Sequence, residues 1–385
     1  MAVEMTQAGL AQTSLRTTSR EMADANTPFI HNAWYVIAEG SEITRQPMSR
    51  VVLGHSIVVF RTEAGAPVAL QNRCCHSSFP LVHGKVEGDT VACGYHSLRF
   101  NADGRCVEIP MQKTVPASVK VRAYRTVERG PFVWVWMGAE AEADAASLPS
   151  QAWMDHPAWD RRWGYLHVKG SYVHLHENLL GLSHLSFPHE STFGTSQYAR
   201  APVETKIEGN DIQIWRHIEC CLPPIYAKPL GWTDARALRS SGSQFVAPGL
   251  HVKTAIFRNL DQPRVGGEVL PTVKAAQLIT PETPHSTHYW NLQARNFARG
   301  DAAIGDFLVQ QQLAAFREDR VALERITELS MLESIRPLQQ VSLPTDKAGV
   351  SMRRYLKRLA ELERLQPAIA PGKSDGPIRR TRKHC

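Results

Sequence analysis

The chain lacks the features that mark membrane-spanning and secreted proteins. Its 385 residues contain no run of about eighteen consecutive apolar residues, so the sequence predicts no membrane-spanning helix. Residues 1–28 lack the basic and apolar stretches of a secretory signal. The seven cysteines are an odd number, and four of them form the adjacent pairs 74–75 and 220–221, unlike a secreted disulfide framework. These absences predict a soluble protein of the reducing cytoplasm without membrane association.

An excess of one charge is also largely missing. The formal net charge is +7, but residues 373–385 hold five basic residues against one acidic residue, which leaves +3 for the rest of the chain. No basic domain with interleaved aromatic residues supports nucleic-acid binding. The 43% hydrophobic and 21% charged content is that of a folded protein with a large core.

Two patterns of hydrophobic periodicity divide the chain. Alternating residues between positions 32 and 138 predict an all-β unit with strands at 51–53, 56–61, 67–71, 120–124 and 132–137. After an Ala/Glu-rich connector at 139–147, the pattern mixes helices and strands and predicts an α+β domain. Its predicted helices cover 172–184, 302–329 and 352–365, and its predicted strands cover 213–220, 250–257 and 287–294.

The first half contains a metal-ligand pattern. Cys74-Cys75-His76 is followed after sixteen residues by Cys93-Gly94-Tyr95-His96, so Cys74, His76, Cys93 and His96 can converge from two loop tips. Two cysteines on one iron and two histidines on the other form the ligand set of a Rieske [2Fe–2S] centre, a one-electron relay. A structural zinc site is the alternative, but zinc motifs usually keep cysteines together and histidines together. The alternation therefore favours the iron–sulfur cluster.

The second half contains candidates for a mononuclear iron site. His184 and His189 lie five residues apart across a helix end that Pro188 disrupts, and a carboxylate is needed to complete the facial triad of a non-haem iron(II) site. On the predicted helix after position 302, Asp319 falls on the apolar stripe between Phe316 and Leu323, whereas its neighbour Glu318 does not. A carboxylate on a buried face is costly unless it is paired or binds a metal. Either histidine taken alone would more often be structural.

Together these motifs resemble the oxygenase component of Rieske non-haem iron oxygenases, in particular the vanillate and dicamba O-demethylase branch. The resemblance covers about residues 31–365 and includes the segments Asn32-Ala33-Trp34-Tyr35-Val36, Val133-Trp134-Val135-Trp136-Met137-Gly138 and Ala294-Arg295-Asn296-Phe297. It implies a Rieske cluster and Fe(II) at His184, His189 and Asp319. It further implies monooxygenation of an aromatic compound with O₂, by O- or N-demethylation or by ring or methyl hydroxylation.

The resemblance also implies partners. No GxGxxG motif opens a helix after a strand here, so NAD(P)H would be used by a separate reductase that delivers electrons directly or through a ferredoxin. A homotrimer is expected, because the family's cluster and iron are close only between subunits. The alternative is a Rieske electron-transfer or binding protein whose mononuclear iron site is impaired.

Three residues near the predicted iron ligands carry further expectations. Asn178 resembles the family's asparagine near the iron. Gly181 stands where the family has an aspartate that links the iron-ligand histidine to the neighbouring subunit's cluster. If one helix continues to position 184, Glu177, Gly181 and His184 share a face, so Glu177 or a water would replace that contact. Substrate-pocket candidates are His174, Arg216, Trp232 and Asn291.

The expected fold is therefore α+β, with an N-terminal all-β Rieske domain and an antiparallel-sheet catalytic domain with flanking helices. The predicted boundaries are a disordered segment at 1–28, the Rieske domain at 29–140, the catalytic mononuclear iron domain at 148–366 and a flexible basic tail at 367–385.

Overall fold

The computed structural model describes residues 21–110, 112–181, 198, 201–262, 266–267, 269–333 and 339–365, with the backbone of 14–17. His184, His189 and the basic tail lie outside the described residues. The strands are β1 Ser14–Thr17, β2 Trp34–Glu39, β3 Met48–Val52, β4 His55–Arg61, β5 Pro67–Gln71, β6 Lys85–Glu87, β7 Thr90–Ala92, β8 Arg99–Phe100, β9 Cys106–Glu108, β10 Ala123–Tyr124, β11 Thr126–Arg129, β12 Phe132–Trp136, β13 Asp160–Val168, β14 Glu204–Glu208, β15 Asp211–Cys221, β16 Arg236–Ala247, β17 Leu250–Asn259, β18 Thr272–Thr283, β19 Ser286–Arg295 and β20 Gln339–Ser342. The helices are α1 Tyr172–Leu180, α2 Pro224–Leu230, α3 Ala302–Leu332 and α4 Lys347–Leu365.

The N-terminal part is all β, as predicted. Strands β3, β4, β5 and β10 form one sheet, β2, β11 and β12 form a second, and the short strands β6 to β9 form a third. All pairings within these sheets are antiparallel. The loop after β5 contains Cys74 and His76, and the loop between β7 and β8 contains Cys93 and His96. The first loop therefore precedes the third sheet along the chain, and the second loop connects two strands of that sheet.

The C-terminal part is built on one antiparallel sheet of seven strands in the order β13-β19-β18-β17-β16-β15-β14. Helix α3 packs on this sheet, because a Cβ at Gly164 of β13 would meet the side chain of Leu313 at 3.1 Å. Helix α1 contacts α4 and the strands β16 and β18. These features confirm the predicted antiparallel-sheet domain with flanking helices.

The two parts share a hydrophobic core. Trp34 of β2 and Trp134 of β12 are buried in one cluster with Leu278 of β18 and Trp290 of β19. Backbone hydrogen bonds also cross this boundary, since the N–H of Leu53 donates to the carbonyl of Pro281 at 2.8 Å. The β part is therefore packed against the seven-stranded sheet.

Helix α1 ends earlier than predicted. Ser171 caps its start by accepting a hydrogen bond from the N–H of Val173, and the last helical residue is Leu180. Gly181 is the C-cap, and its N–H donates to the carbonyl of Asn178 at 3.1 Å. The expectation that the helix continues to position 184 was wrong, whereas the predicted shared face of Glu177, Gly181 and His184 involves His184, which lies outside the described residues.

None of the helices in the described ranges combines the length and apolar character needed to cross a bilayer.

Candidate metal centres and substrate cavity

Two loops of the β part repeat the same backbone hydrogen bonds around a cysteine. In the first loop, the N–H of Cys74 donates to the carbonyl of Phe79 and the N–H of Ser78 donates to the carbonyl of Cys74, both at 2.9 Å. The second loop repeats both bonds, at 2.8 and 2.9 Å, with Cys93, Leu98 and Ser97. Each loop therefore closes around its own cysteine, so the metal-ligand motif is also a repeated structural unit.

A left-handed serine bends each loop. Ser78 has a φ of 60° and Ser97 a φ of 57°, a region that residues other than glycine adopt at a cost. Glycine would adopt this conformation at Ser78 and Ser97 without that cost. Ser78 is held by the Nε of Arg73, which donates to its Oγ at 2.9 Å. Gly94 cannot be replaced by a larger residue without a shift of the backbone, because a Cβ there would lie 2.5 Å from the carbonyl oxygen of His83.

The four side chains of the two loops fit a Rieske cluster. Cys74 and Cys93 are each 2% exposed, and their side chains are hydrogen-bonding neighbours. The imidazole rings of His76 and His96 are exposed, with centroids 4.5 Å apart. Burial raises the pKa of the Cys74 thiol to about 11, so the pair is costly to ionise without a cation between the sulfurs. Buried sulfurs and outward imidazoles match a cluster with its histidine-bound iron at the surface.

Asp319 is on the buried face of α3, as predicted. It is 6% exposed and lies between Phe316 and Leu323, which are 4% and 3% exposed. Its negative charge acts on side chains of two facing strands. Burial raises the pKa of Tyr289, and the charge of Asp319 raises it further. Burial lowers the pKa of Lys253, and the charge of Asp319 opposes that shift. The structure thus describes the carboxylate of the predicted triad, while His184 and His189 stay predictions.

Asn178 and Glu177, although adjacent on α1, have different surroundings. The Nδ2 of Asn178 is buried and has no hydrogen-bond partner among the described residues, so it is an orphaned donor that suits a bound water or substrate oxygen. Both carboxylate oxygens of Glu177 lie 3.1 Å from the Nη1 of Arg353 on α4. This ion pair commits Glu177 to the α1–α4 contact, which contradicts the expectation that Glu177 replaces the carboxylate missing at Gly181.

A buried hydrogen-bond chain holds the last turn of α1. The hydroxyl of Ser243 donates to the carbonyl of Leu179 at 2.7 Å, and the Nε2 of His251 lies 2.9 Å from the same hydroxyl oxygen. Because the serine proton is used on Leu179, His251 donates to Ser243 through Nε2. The Nε2 of His176 likewise donates to the carbonyl of Pro248 at 2.9 Å. Burial lowers the pKa of His176 to about 4 and holds the pKa of His251 well below its usual value, so both rings are neutral at pH 7.

A cavity lies between the seven-stranded sheet and helices α2 and α3. It is one helical turn from Asp319, because Phe316 of α3 lines it. The other lining residues include Tyr198, Tyr226, Arg239, Ser241, Lys253, Gln293 and Gln312. None of the pocket candidates His174, Arg216, Trp232 and Asn291 lines this cavity. The sequence signal that could have indicated it is the run of small residues 240–243 in β16, next to the basic residues of β16 and β17.

Comparisons with known proteins agree with this geometry. Residues 33–124 match the Rieske [2Fe-2S] domain family, and residues 168–362 match the vanillate O-demethylase oxygenase C-terminal domain family. A Rieske domain joined to this second domain defines an oxidoreductase of the Rieske monooxygenase class. Within that class, the chain belongs to the vanillate O-demethylase oxygenase family. The domain boundaries 29–140 and 148–366 themselves stay predictions.

Individual relatives cover nearly the whole chain. The toluene-4-sulfonate monooxygenase system iron-sulfur subunit TsaM1 of Comamonas testosteroni is 34% identical over 85% of this chain and 96% of the relative. The dicamba O-demethylase oxygenase component of Stenotrophomonas maltophilia is 29% identical over 87% of this chain and 99% of the relative. A crystal structure of dicamba monooxygenase bound to 3,6-dichlorosalicylic acid superposes with a TM-score of 0.83 at 28% identity, over 88% of this chain and 100% of that one.

The cofactors follow from this membership. The Rieske domain carries a [2Fe–2S] cluster, which sets aside the zinc alternative. A second dicamba monooxygenase structure, with a TM-score of 0.77 and 27% identity over 88% of this chain and 99% of that one, is described as containing non-haem iron and dicamba. The chain is therefore an oxygenase component that uses a Rieske cluster and mononuclear iron.

Proposed function

We propose that this oxygenase component acts on an aromatic substrate, by O- or N-demethylation in the first instance and by ring or methyl hydroxylation as the second candidate. The observation that carries the proposal is the cavity beside Asp319, whose walls include the rings of Tyr226 and Phe316. The named reactions of relatives support it. Besides the toluene-4-sulfonate and dicamba enzymes, they include the chloroacetanilide N-alkylformylase oxygenase component of Rhizorhabdus wittichii, 32% identical over 89% of this chain and 99% of the relative.

The ligand assignments are part of the proposal. Cys74, His76, Cys93 and His96 would hold the cluster, and His184, His189 and Asp319 would hold the iron. When bound, the two groups supply one-electron transfer and O₂ activation. The chain's own residues prepare the site around them. The loops keep the thiols buried and the imidazoles outward, and α3 presents Asp319 from its apolar face beside the cavity.

Two further features belong to the surroundings of the proposed iron site. The orphaned amide nitrogen of Asn178 is a donor for a water or substrate oxygen near the iron ligands. The bonds from His251 through Ser243 to the carbonyl of Leu179 fix the turn of α1 that carries Asn178. Helix α3 covers the sheet face and contributes Gln312 and Phe316 to the cavity wall.

The partners are proposed on the same basis. An NAD(P)H-dependent reductase would deliver electrons, directly or through a ferredoxin, because the relatives are components of multicomponent systems. The surface position of His76 and His96 supports electron transfer across a protein contact. The homotrimer and the cytoplasmic location stay predictions from the family resemblance and the cysteine pattern.

The test combines metal analysis with oxygen consumption. Purified protein should contain iron and sulfide in the amounts of one cluster and one further iron, and should show the visible spectrum of a Rieske centre. With a reductase of a related system and NADH, O₂ uptake should rise when an aromatic methyl ether such as 4-methoxybenzoate is added, with formaldehyde as a product. Cluster absorbance without any O₂ uptake across a panel of aromatic compounds would favour the electron-transfer or binding protein instead.

A further inference from the structure

Three fully buried polar side chains lie together where α1 packs on the sheet. His176 of α1, His251 of β17 and Gln277 of β18 are each 0% exposed. Strand register places His251 directly opposite Gln277, and the ring centroids of His176 and His251 are 5.8 Å apart. The Nδ1 of each histidine and the Nε2 of the glutamine have no hydrogen-bond partner among the described residues. Buried polar atoms without partners are rare in folded proteins, so these three nitrogens call for a common partner.

The hydrogen bonds that these side chains do make determine whether each remaining nitrogen donates or accepts. His176 and His251 each donate through Nε2, to a backbone carbonyl and to a serine hydroxyl, both at 2.9 Å. Because both rings are neutral at pH 7, each Nδ1 is an acceptor. The Oε1 of Gln277 accepts a hydrogen bond from the hydroxyl of Tyr289, which leaves the Nε2 of Gln277 as a donor. The three nitrogens are therefore one donor and two acceptors.

This set of one donor and two acceptors selects a small neutral ligand. A cation would be repelled by the N–H groups of Gln277, and an anion would meet the lone pairs of both histidines. A water molecule accepts one hydrogen bond and donates two, and a buried water makes about three hydrogen bonds in all. One water bridges two polar atoms that lie about 5 Å apart. The separation of the two imidazole rings is compatible with such a bridge.

An aromatic ring separates this group from bulk solvent on one side. Phe245 of β16 is 0% exposed, and its ring centroid lies 5.2 Å from that of His176 and 6.3 Å from that of His251. Three polar nitrogens buried without partners would each lower stability. A water that satisfies all three therefore binds permanently and exchanges slowly with the solvent.

We propose that Gln277, His251 and His176 bind one buried water, which joins α1 to the central strands of the sheet. Gln277 donates to the water, and the water donates to the Nδ1 of each histidine. A chain of hydrogen bonds then runs from Tyr289 through the water to the last turn of α1, which carries Asn178. The inference concerns the support of α1 and holds whichever compound is the substrate.

The direct test is a crystal structure of the wild-type holoenzyme at a resolution that shows ordered waters. A single peak of electron density should lie within about 2.6–3.2 Å of the Nε2 of Gln277 and of the Nδ1 of both histidines. No variant has to fold for this test. The absence of a peak at that point, or protein groups bonded to these nitrogens instead, would overturn the inference.

A second test counts slowly exchanging internal waters in solution by ¹⁷O relaxation dispersion of the holoenzyme. Gln277→Met keeps the length of the side chain but removes the donor, so the count should fall by one water. Tyr289→Phe is the matched control, because it removes the hydroxyl bonded to Gln277 and none of the three nitrogens, so it should keep the full count. The Rieske spectrum and the melting temperature verify that each variant is folded. An unchanged count in folded Gln277→Met, or the same loss in both variants, would contradict the proposed site.

Discussion

The two metal centres of this chain are assembled in opposite ways. All four proposed cluster ligands come from two short loops, each closed by its own backbone hydrogen bonds around a cysteine. The proposed iron ligands come from the segment after α1 and from α3, so they meet only when distant parts of the chain pack together. A locally closed site can be read from residue spacing, whereas a site built from distant elements must be inferred from burial.

Replacement of a cluster ligand should have the largest effect and tests whether the first centre is local. Cys93→Ala should remove the visible spectrum of the cluster and all product formation, because one thiolate of the ligand set is lost. The second iron should still load, as measured by metal analysis. Cys221→Ala is a suitable control, since Cys221 is exposed on β15, far along the chain from the loops. An intact Rieske spectrum in Cys93→Ala would contradict the ligand assignment.

Replacement of Asp319 tests the second centre. Asp319→Ala should abolish product and lower the iron content while the Rieske spectrum stays unchanged, because the triad loses its carboxylate. Glu318→Ala is the matched control one position away, and it should retain activity. Activity lost only in Glu318→Ala would move the ligand to Glu318. A changed cluster spectrum in Asp319→Ala would show that the two centres are not assembled independently.

Acidification should lower the stability of the folded protein through a buried histidine of α1. The pKa of His176 is lowered from 6.5 to about 4 by burial, so the unfolded chain binds a proton that the folded protein excludes. Stability is therefore full above pH 6.5 and falls as the pH drops towards about 4, by about 3 kcal/mol for this residue. Chemical denaturation at pH 7.5 and pH 5 measures the loss. His176→Gln, which retains a donor for Pro248, should reduce the pH dependence. An unchanged slope would show that His176 does not titrate this way.

Changes around the missing carboxylate should have the smallest effects. Glu177→Gln should lower stability by weakening the ion pair with Arg353, but should leave reoxidation of the reduced cluster unchanged in stopped-flow measurements with substrate and O₂. Gly181→Asp would restore the family's carboxylate at the end of α1 and should speed that step if a contact between subunits limits it. Slower reoxidation in Glu177→Gln would show that Glu177 takes part in electron transfer, although its observed partner is Arg353.

Much of the cluster site was predictable because its information is local. The C-x-H and C-x-x-H spacing was enough to predict the two ligand loops. Strand β5 was predicted with its observed limits, 67–71. Helix α3 and the burial of Asp319 followed from the apolar stripe. The end of α1 was missed because the predicted helix was continued past Gly181, although glycine is a common helix-terminating residue.

The cavity could not be predicted from spacing. Strand β16, whose run of serine and glycine around position 241 weakens any strand signal, was not identified in the sequence. The position of Lys253 between small residues depends on the register of three strands, and a one-residue shift would turn it to the other face. Register is set by long-range pairing, which the periodicity of one strand does not specify.

The tryptophan-rich core between the two parts has a consequence for evolution and engineering. Trp34 and Trp134 of the β part and Trp290 of the large sheet are each at most 2% exposed, and the hydroxyl of Thr280 donates across the boundary to the carbonyl of Val36 at 2.7 Å. The Rieske domain therefore cannot be exchanged between relatives by itself. A chimera that takes its first domain from a relative must also take the matching residues of this interface, or the indole rings lose their packing partners.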